Sequence, residues 1–360
     1  MTERNHKLRV LMLIPSVVKR NIADAALRNE HPTMDYFMLQ EALGADIIDY
    51  SSLESEAHPR LVRLAQRAGR DTALAALGYT KRNEYDVIFS NGENVSIPLS
   101  FFFKGHRRRP VHVLIGHRVS PRKKRPFFKL LHPQMDAIFL YSSAQFELAV
   151  KELGIPVSKL HLIPFHADSD FYRPTASSDA SRKMICSAGL EWRDYPTLIE
   201  AATGMDVEVC LAAASPWSKH KNETAKRALP PNVSAKRYEY KELRKLYSDS
   251  RFVVVPLYEN DFQAGITTIL EGMSMGKAII TSKTSGQIDT IRHGENGLYV
   301  PPGDPVALRE AILHLLERPD EAARMGAQAR LDIEESMSLR HWASRIAGVI
   351  RSVNGVQALV

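Results

Sequence analysis

The chain has 360 residues, 44% hydrophobic, 25% charged and 8% aromatic, with formal net charge +7. That length holds about two domains with cores of their own, and so ordinary a composition excludes collagen, coiled coil, disulfide scaffold and wholesale disorder. Cys186 and Cys210, both in apolar runs, leave no disulfide framework and point to a reducing compartment. From the N-terminus, strand-like apolar runs are predicted at 8–14, 46–49, 86–90, 111–115, 137–141 and 160–163. Helical periodicity lies between them at 34–43, 59–77 and 144–153. The pattern then restarts, with strands at 183–188, 206–213, 233–235, 252–256, 278–281 and 297–300 and successive helices from 304 to about 353. Such alternation is the signature of an α/β protein with doubly wound parallel sheets. No apolar run reaches the roughly 18 residues of a membrane span. The opening MTERNHKLRV lacks the apolar stretch of a signal peptide, so the expected location is cytoplasmic.

PFHADSDFYRPTASSDASRK, residues 164–183, is rich in Pro, Ser and Asp and continues neither half; it is read as an interdomain linker. Two α/β halves joined there predict a cleft between the carboxyl ends of two sheets, where such folds bind ligands. The richest segment is RFVVVPLYENDFQAGITTILEGMSMGKAIITS, residues 251–282. It reads as a buried strand, a polar loop and a helix beginning near Ala264–Gly265. Small residues at a helix start let a ligand approach the backbone, and the free N–H groups there favour phosphate. Glu271, two turns further on, is placed to accept from ribose hydroxyls; an ordinary βα loop with a solvated Glu271 is the plainer alternative. GMSMGK, residues 272–277, is not a P-loop: it is one residue short between its glycines and has no Ser or Thr after the Lys.

The segment resembles the nucleotide-sugar region of retaining glycosyltransferases with the two-Rossmann GT-B architecture, in particular glycosyltransferase family 4. Those carry an acidic residue, seven intervening residues and a second Glu, then EAMA-G-PVV. Here Glu271 and EGMSMGKAII match the second part, whereas Gln263 stands in the first acidic position. The glycine is displaced as well, two residues after Gln263. HLIPFHADSDFYRP (161–174) is similar to the family's "IPNGVDTDFFRP", and SAGLEWRDYPTLIEA (187–201) to its "VGRL…KG…LIEA". SGQIDTIRHGENGLYVPPGDPVALREAI (285–312) is similar to "GG.PE.I..G.NGLLV.PGD". The resemblance covers about 137–330 and rests on motif order. It implies an acceptor domain at 1–172, a donor domain at 173–337 and a last helix, 338–360, packing back on the first domain.

Carried over residue by residue, the resemblance implies a donor site of Gly189, Arg193, Gln263, Ala264, Gly265, Ile266, Thr267 and Glu271. Arg193 would meet the diphosphate, as Arg suits bidentate phosphate contacts. Backbone amides at 265–267 would hold phosphate or sugar, and Gln263 would hydrogen-bond the transferred sugar. A neutral amide in place of Glu supplies no charge, and Glu259 or Asp261 on the same loop are alternatives for it. His117, after a predicted strand, resembles the family's histidine near the donor sugar and is the second catalytic candidate; a loop histidine with a structural bond is the alternative. Asn91 and Glu93, on a comparable rim, are acceptor candidates. The mechanism implied is transfer with retention, with neither cofactor nor metal: there is no HExxH, no CxxC pair and no histidine cluster. A sugar-nucleotide-binding protein without transferase activity is the rival reading, and a basic nucleic-acid binder a more remote one.

KGHRRRPVHVLIGHRVSPRKKRPFFKLLH, residues 104–132, holds ten cations and no acid. Phe127 and Phe128 follow Arg122, Lys123, Lys124 and Arg125 after a single proline. Cations beside aromatic groups are what an interfacial segment needs. The expectation is a face that meets the inner surface of an anionic membrane and presents a lipid-linked or other anionic acceptor; a solvated basic loop is the alternative.

Overall fold

A computed structural model describes residues 8–353 except 20, 55–58, 107, 176–181 and 214–228, and also residue 355. The chain divides into two compact units. Unit 1 is Met1–Ala23, Met34–Ile163 and Arg340–Val360; unit 2 is Asp24–Thr33 and Pro164–Leu339.

Unit 1 is built on strands β1 (Val10–Ile14), β2 (Asp46–Asp49), β3 (Val87–Ser90), β4 (Val111–Gly116), β5 (Ala137–Leu140) and β6 (Leu160–Leu162). They form one parallel sheet in the order β2-β1-β3-β4-β5-β6. Strands β1, β3 and β5 are buried at every position, because helices cover both faces of such a sheet. The helices described are α1 (Asn21–Leu27), α2 (Asp35–Leu43), α3 (Arg60–Ala65), α4 (Arg70–Thr80), α5 (Glu93–Phe103), α6 (Arg125–Leu131) and α7 (Ser143–Lys151). The single helix expected over 59–77 is two, because Gly69 at φ +107° breaks it after a 3₁₀ turn at Gln66–Ala68.

Unit 2 repeats the plan with β7 (Met184–Ala188), β8 (Glu208–Ala212), β9 (Val233–Lys236), β10 (Val253–Val255), β11 (Ile279–Ser282) and β12 (Gly297–Val300). Their order is β12-β11-β10-β7-β8-β9, again all parallel. Its helices are α8 (Tyr195–Ala202), α9 (Tyr240–Asp249), α10 (Ile266–Ser274), α11 (Pro305–Glu317) and α12 (Pro319–Asp332). Helix α13 (Leu339–Val353) follows and lies in unit 1 from Arg340 onward. In each sheet the strand order reverses once, between β1 and β3 and between β7 and β10. Loops after those strands diverge and leave room for a ligand.

Candidate active site

In unit 2 the loops after β7 and β10 flank the reversal point. Gly265 caps α10 in the left-handed region at φ +79°, and Gly189 ends β7 at φ +88°. Both conformations are open to glycine at little cost. The guanidinium of Arg193 lies against the two. A Cβ on Gly189 would stand 2.6 Å from one terminal nitrogen, and a Cβ on Gly265 would stand 3.3 Å from the other. Arg193 is only 8% exposed. It donates to the carbonyls of Ala188 (2.8 Å) and Glu191 (2.7 Å) and to Thr268 Oγ1 (3.0 Å). It is therefore not a solvated charge at a helix start: it ties the β7–α8 loop to the first turn of α10. Of its five N–H groups, two remain beyond these bonds.

Glu271 is buried on the same helix, and its Oε2 accepts from the Tyr247 hydroxyl at 2.7 Å. The Tyr172 hydroxyl stands near the same carboxylate, and burial pushes the Glu271 carboxyl up to about 7. The plainer expectation of a solvated Glu271 does not hold. Ala264 and Ile266 are buried, and Thr267 is exposed on the helix start. Gln263 is half-buried, and its Oε1 is an enclosed acceptor without a hydrogen-bond partner. Glu259, the alternative on the same loop, is exposed and accepts from the Ser285 amide at 2.9 Å through one oxygen.

Sequence reasoning passed over what holds this turn in place. Gln287, fully buried, donates to the Ala264 carbonyl at 3.1 Å. Gly286 donates to Asn260 O at 2.9 Å and packs so closely that a Cβ would stand 2.2 Å from Phe262 N. These residues lie in the quoted SGQID motif; its glycine was the available signal. Lys277 of GMSMGK binds the Ser248 carbonyl at 2.7 Å instead of facing a phosphate loop. Base and sugar recognition in the resembled family rests on loops that correspond here to 215–219 and 238–240, and 215–219 lies outside the described residues.

In unit 1 the loops after β3 and β4 bring Asn91, Glu93 and His117 together. His117 is exposed, its ring tilted over Tyr141 with centroids 5.8 Å apart. Its Nε2 lies 3.3 Å from Asn91 Oδ1. The Asn91 side chain is bonded in turn to Asp35, whose carboxyl is raised above its ordinary range by burial. Neither Asp35 nor Tyr141 stands out in sequence, since both belong to ordinary element ends. With Asn91 accepting from Nε2–H, the neutral imidazole keeps Nδ1 as its acceptor.

Glu93, an acceptor candidate, has internal partners. It is 5% exposed, and its oxygens take the amides of His117 and Arg118, both at 3.1 Å, and Lys124 Nζ at 2.8 Å. A carboxylate so buried and engaged positions the loop that carries His117. The membrane-face expectation is corrected at three residues. Lys124 is paired with Glu93, Arg125 with Glu152, and Phe128 is fully buried. Arg122, Lys123 and Phe127 are exposed.

Among the described residues no group of three His, Cys, Asp or Glu is placed to hold a metal ion, and no helix is long and apolar enough to cross a membrane.

Residues 191–318 match the family described as Glycosyl transferases group 1. The D-rhamnosyltransferase WbpZ of Pseudomonas aeruginosa is 26% identical over 323 residues, covering 81% of this chain and 84% of its own length. Sucrose-phosphate synthase from Thermosynechococcus elongatus superposes with TM-score 0.73 at 15% identity, over 97% of this chain and 100% of that one. Anabaena HepE, solved in complex with UDP and glucose, superposes with TM-score 0.69 at 16% identity, over 96% of this chain and 100% of its own. The chain thus has two doubly wound units, superposes over nearly its whole length on structures of the two-Rossmann GT-B fold, and matches the glycosyl transferases group 1 family over 191–318.

Proposed function

We propose that the enzyme transfers a sugar from a nucleoside diphosphate sugar, bound by unit 2, to a hydroxyl of an acceptor bound by unit 1, with retention of anomeric configuration. The observation that carries this reading is the buried Arg193 guanidinium against two left-handed glycines, Gly189 after β7 and Gly265 at the start of α10, with Glu271 on the same helix. A helix start and a guanidinium offer a diphosphate several N–H donors and positive potential in one place. Glu271, as carboxylate, accepts from the ribose hydroxyls, exchanging or sharing its bond with Tyr247. The unpartnered Gln263 Oε1 accepts from a hydroxyl of the donor sugar. HepE in its complex with UDP and glucose supplies the same donor class by analogy of fold.

In the proposed step the bond from the sugar's anomeric carbon to the phosphate oxygen breaks as the bond to the acceptor oxygen forms on the same face. The acceptor's proton passes to the departing phosphate oxygen. Arg193 and the first amides of α10 stabilise the charge that develops on the diphosphate. His117 hydrogen-bonds the acceptor through Nδ1 and orients its hydroxyl. With the diphosphate neutralised in this way, the proposal contains no metal and no cofactor.

A second reading, binding without transfer, rests on Gln263, which gives a developing oxocarbenium ion no negative charge. Both are tested with UDP-, GDP- and ADP-activated glucose and rhamnose, read by nucleotide release and by the anomeric coupling of the product. Nucleotide release that depends on an acceptor, with an unchanged anomer, supports transfer; inversion removes the retaining mechanism. Tight binding without turnover selects the second reading. Thermal stabilisation by one nucleoside diphosphate over the others names the base.

A further inference from the structure

Unit 1 carries a groove of about 750 Å³ between the start of α4 and helices α5 and α6. Its apolar lining includes Ala68, Ile97, Pro98, Phe101, Phe102 and Phe127. Phe101 is 62% exposed, Phe127 50%, and Leu130 on the same short helix 54%. Three large apolar side chains this open on two neighbouring helices form a patch that a soluble surface ordinarily avoids. Lys123 lines the rim, with Arg122 and Lys129 exposed beside it in the chain. The acids of the region are used internally. Asp71 accepts from the Tyr50 hydroxyl, Glu93 holds Lys124 and two amides, and Glu152 pairs with Arg125. The charge left toward solvent around the groove is positive.

We propose that this groove and its basic rim dock on the surface of an anionic lipid bilayer. Phe101, Phe127 and Leu130 enter the interface, and Arg122, Lys123 and Lys129 meet the headgroups. A bilayer is favoured over a protein partner because it supplies negative charge and apolar depth together. That is the combination a patch of aromatic tips among cations requires. Spacing agrees: Lys123, Phe127 and Leu130 recur at i, i+4 and i+7 on the outer side, while Lys124, Phe128 and Leu131 make the inner stripe. The inference stands apart from the choice of donor. Its bearing on function runs through Glu93, which lines the groove and holds the amides of His117 and Arg118.

The test is sedimentation of the full chain with vesicles of phosphatidylcholine alone and of phosphatidylcholine with phosphatidylglycerol, at low and high salt. Binding is expected to the anionic vesicles, stronger at low salt. It should fall about tenfold in the double variant Phe101→Ser, Phe127→Ser and by a similar factor in Lys123→Glu. Emission from a Phe127→Trp variant should shift to the blue on anionic vesicles, relative to the unsubstituted chain. Because these side chains are exposed, thermal unfolding and nucleotide stabilisation should match those of the unsubstituted protein. No binding at low salt overturns the proposal. So does anionic binding that the double Phe variant retains in full, which would be a diffuse charge effect. Equal competition by an oligonucleotide, undiminished by the Phe substitutions, would reassign the patch to nucleic acid and overturns it too.

Discussion

In unit 2 the turn at the start of α10 is held mainly by backbone: left-handed glycines at 189 and 265, a close approach at 286, and an arginine bonded to two carbonyls. In unit 1 the rim around His117 is held mainly by side chains, with Glu93 gripping its loop and Asn91 and Asp35 fixing its ring. The same doubly wound plan thus supports one candidate subsite that tolerates little change of shape and one that can be retuned by single polar substitutions. A diphosphate common to all donors calls for the first kind of construction. Acceptors, which differ from enzyme to enzyme, suit the second.

The comparison breaks most visibly at Gly286. A methyl group there would stand 2.2 and 2.3 Å from the backbone nitrogen and oxygen of Phe262, so the two loops must part by more than 1 Å. Gly286→Ala should lower the transfer rate by about a hundredfold, since a displacement of that order near the reacting groups has such a cost. Steady-state rates check it, with thermal unfolding showing that the sheet persists. Rates within a fewfold of the original would show that the turn is not held from this side.

Glu271 gives the next largest effect, and it has a sign in pH. With the folded carboxyl raised to about 7, the side chain is mostly neutral at pH 6 and mostly ionised at pH 8. If ribose is held by the carboxylate, affinity for a nucleoside diphosphate sugar should rise about tenfold between those values. The donor's own diphosphate stays ionised across this window, so the rise belongs to the protein. Stability runs the other way. The folded state holds this proton more tightly than the unfolded chain, so the contribution is full below about pH 4.5 and lost as pH rises to about 7. Glu271→Gln should flatten both profiles in calorimetry and thermal unfolding. A wild-type affinity flat across pH 6–8 would remove Glu271 from the ribose.

Asn91→Ala removes a partner from both His117 and Asp35. Freed from its Nε2 partner, the ring loses its fixed tautomer, and kcat should fall about tenfold while donor affinity holds. Asn91→Asp, which keeps an acceptor at that position, should recover part of the loss. An equal fall in donor affinity would show that Asn91 serves general stability instead.

The unequal construction also explains what could be read from sequence. The strands of the described residues were legible, because most are buried on both faces and become short apolar runs whose length separates them from helices. Helix α1 was invisible: none of its residues is buried, so it has no apolar period, and Asp24–Thr33 belongs to unit 2. In unit 2, glycine and small residues at fixed spacing revealed the turn itself. What braces it stayed hidden, since Gln287 and Arg193 find partners 23 and 75 residues away. In unit 1, contiguity misled. Phe128 and Lys124 follow or precede exposed neighbours in the chain, yet Phe128 lies on the inward side of α6 and Lys124, at its N-cap, turns to Glu93. The period was present in the letters; charge density drew attention from it.

The smallest effect expected is at Glu93, and it separates loop-holding from acceptor binding. Glu93→Gln keeps one oxygen, enough for one of the two amides that Glu93 takes on separate oxygens, and removes the charge facing Lys124, whose side chain is 18% exposed against 6% for the glutamate. A part-buried pair of this kind contributes more than an exposed one and less than the full cost of an isolated buried charge. The loss should be about 1 kcal/mol, seen as a small drop in unfolding temperature that is relieved when Lys124→Met is added. If the loop is what Glu93 serves, kcat should decline in step with the disorder of His117 while the acceptor KM changes little. A large rise in acceptor KM with stability untouched would instead return Glu93 to the acceptor's own contacts, and unit 1 would then resemble unit 2 in meeting its ligand with the residue nearest the strand.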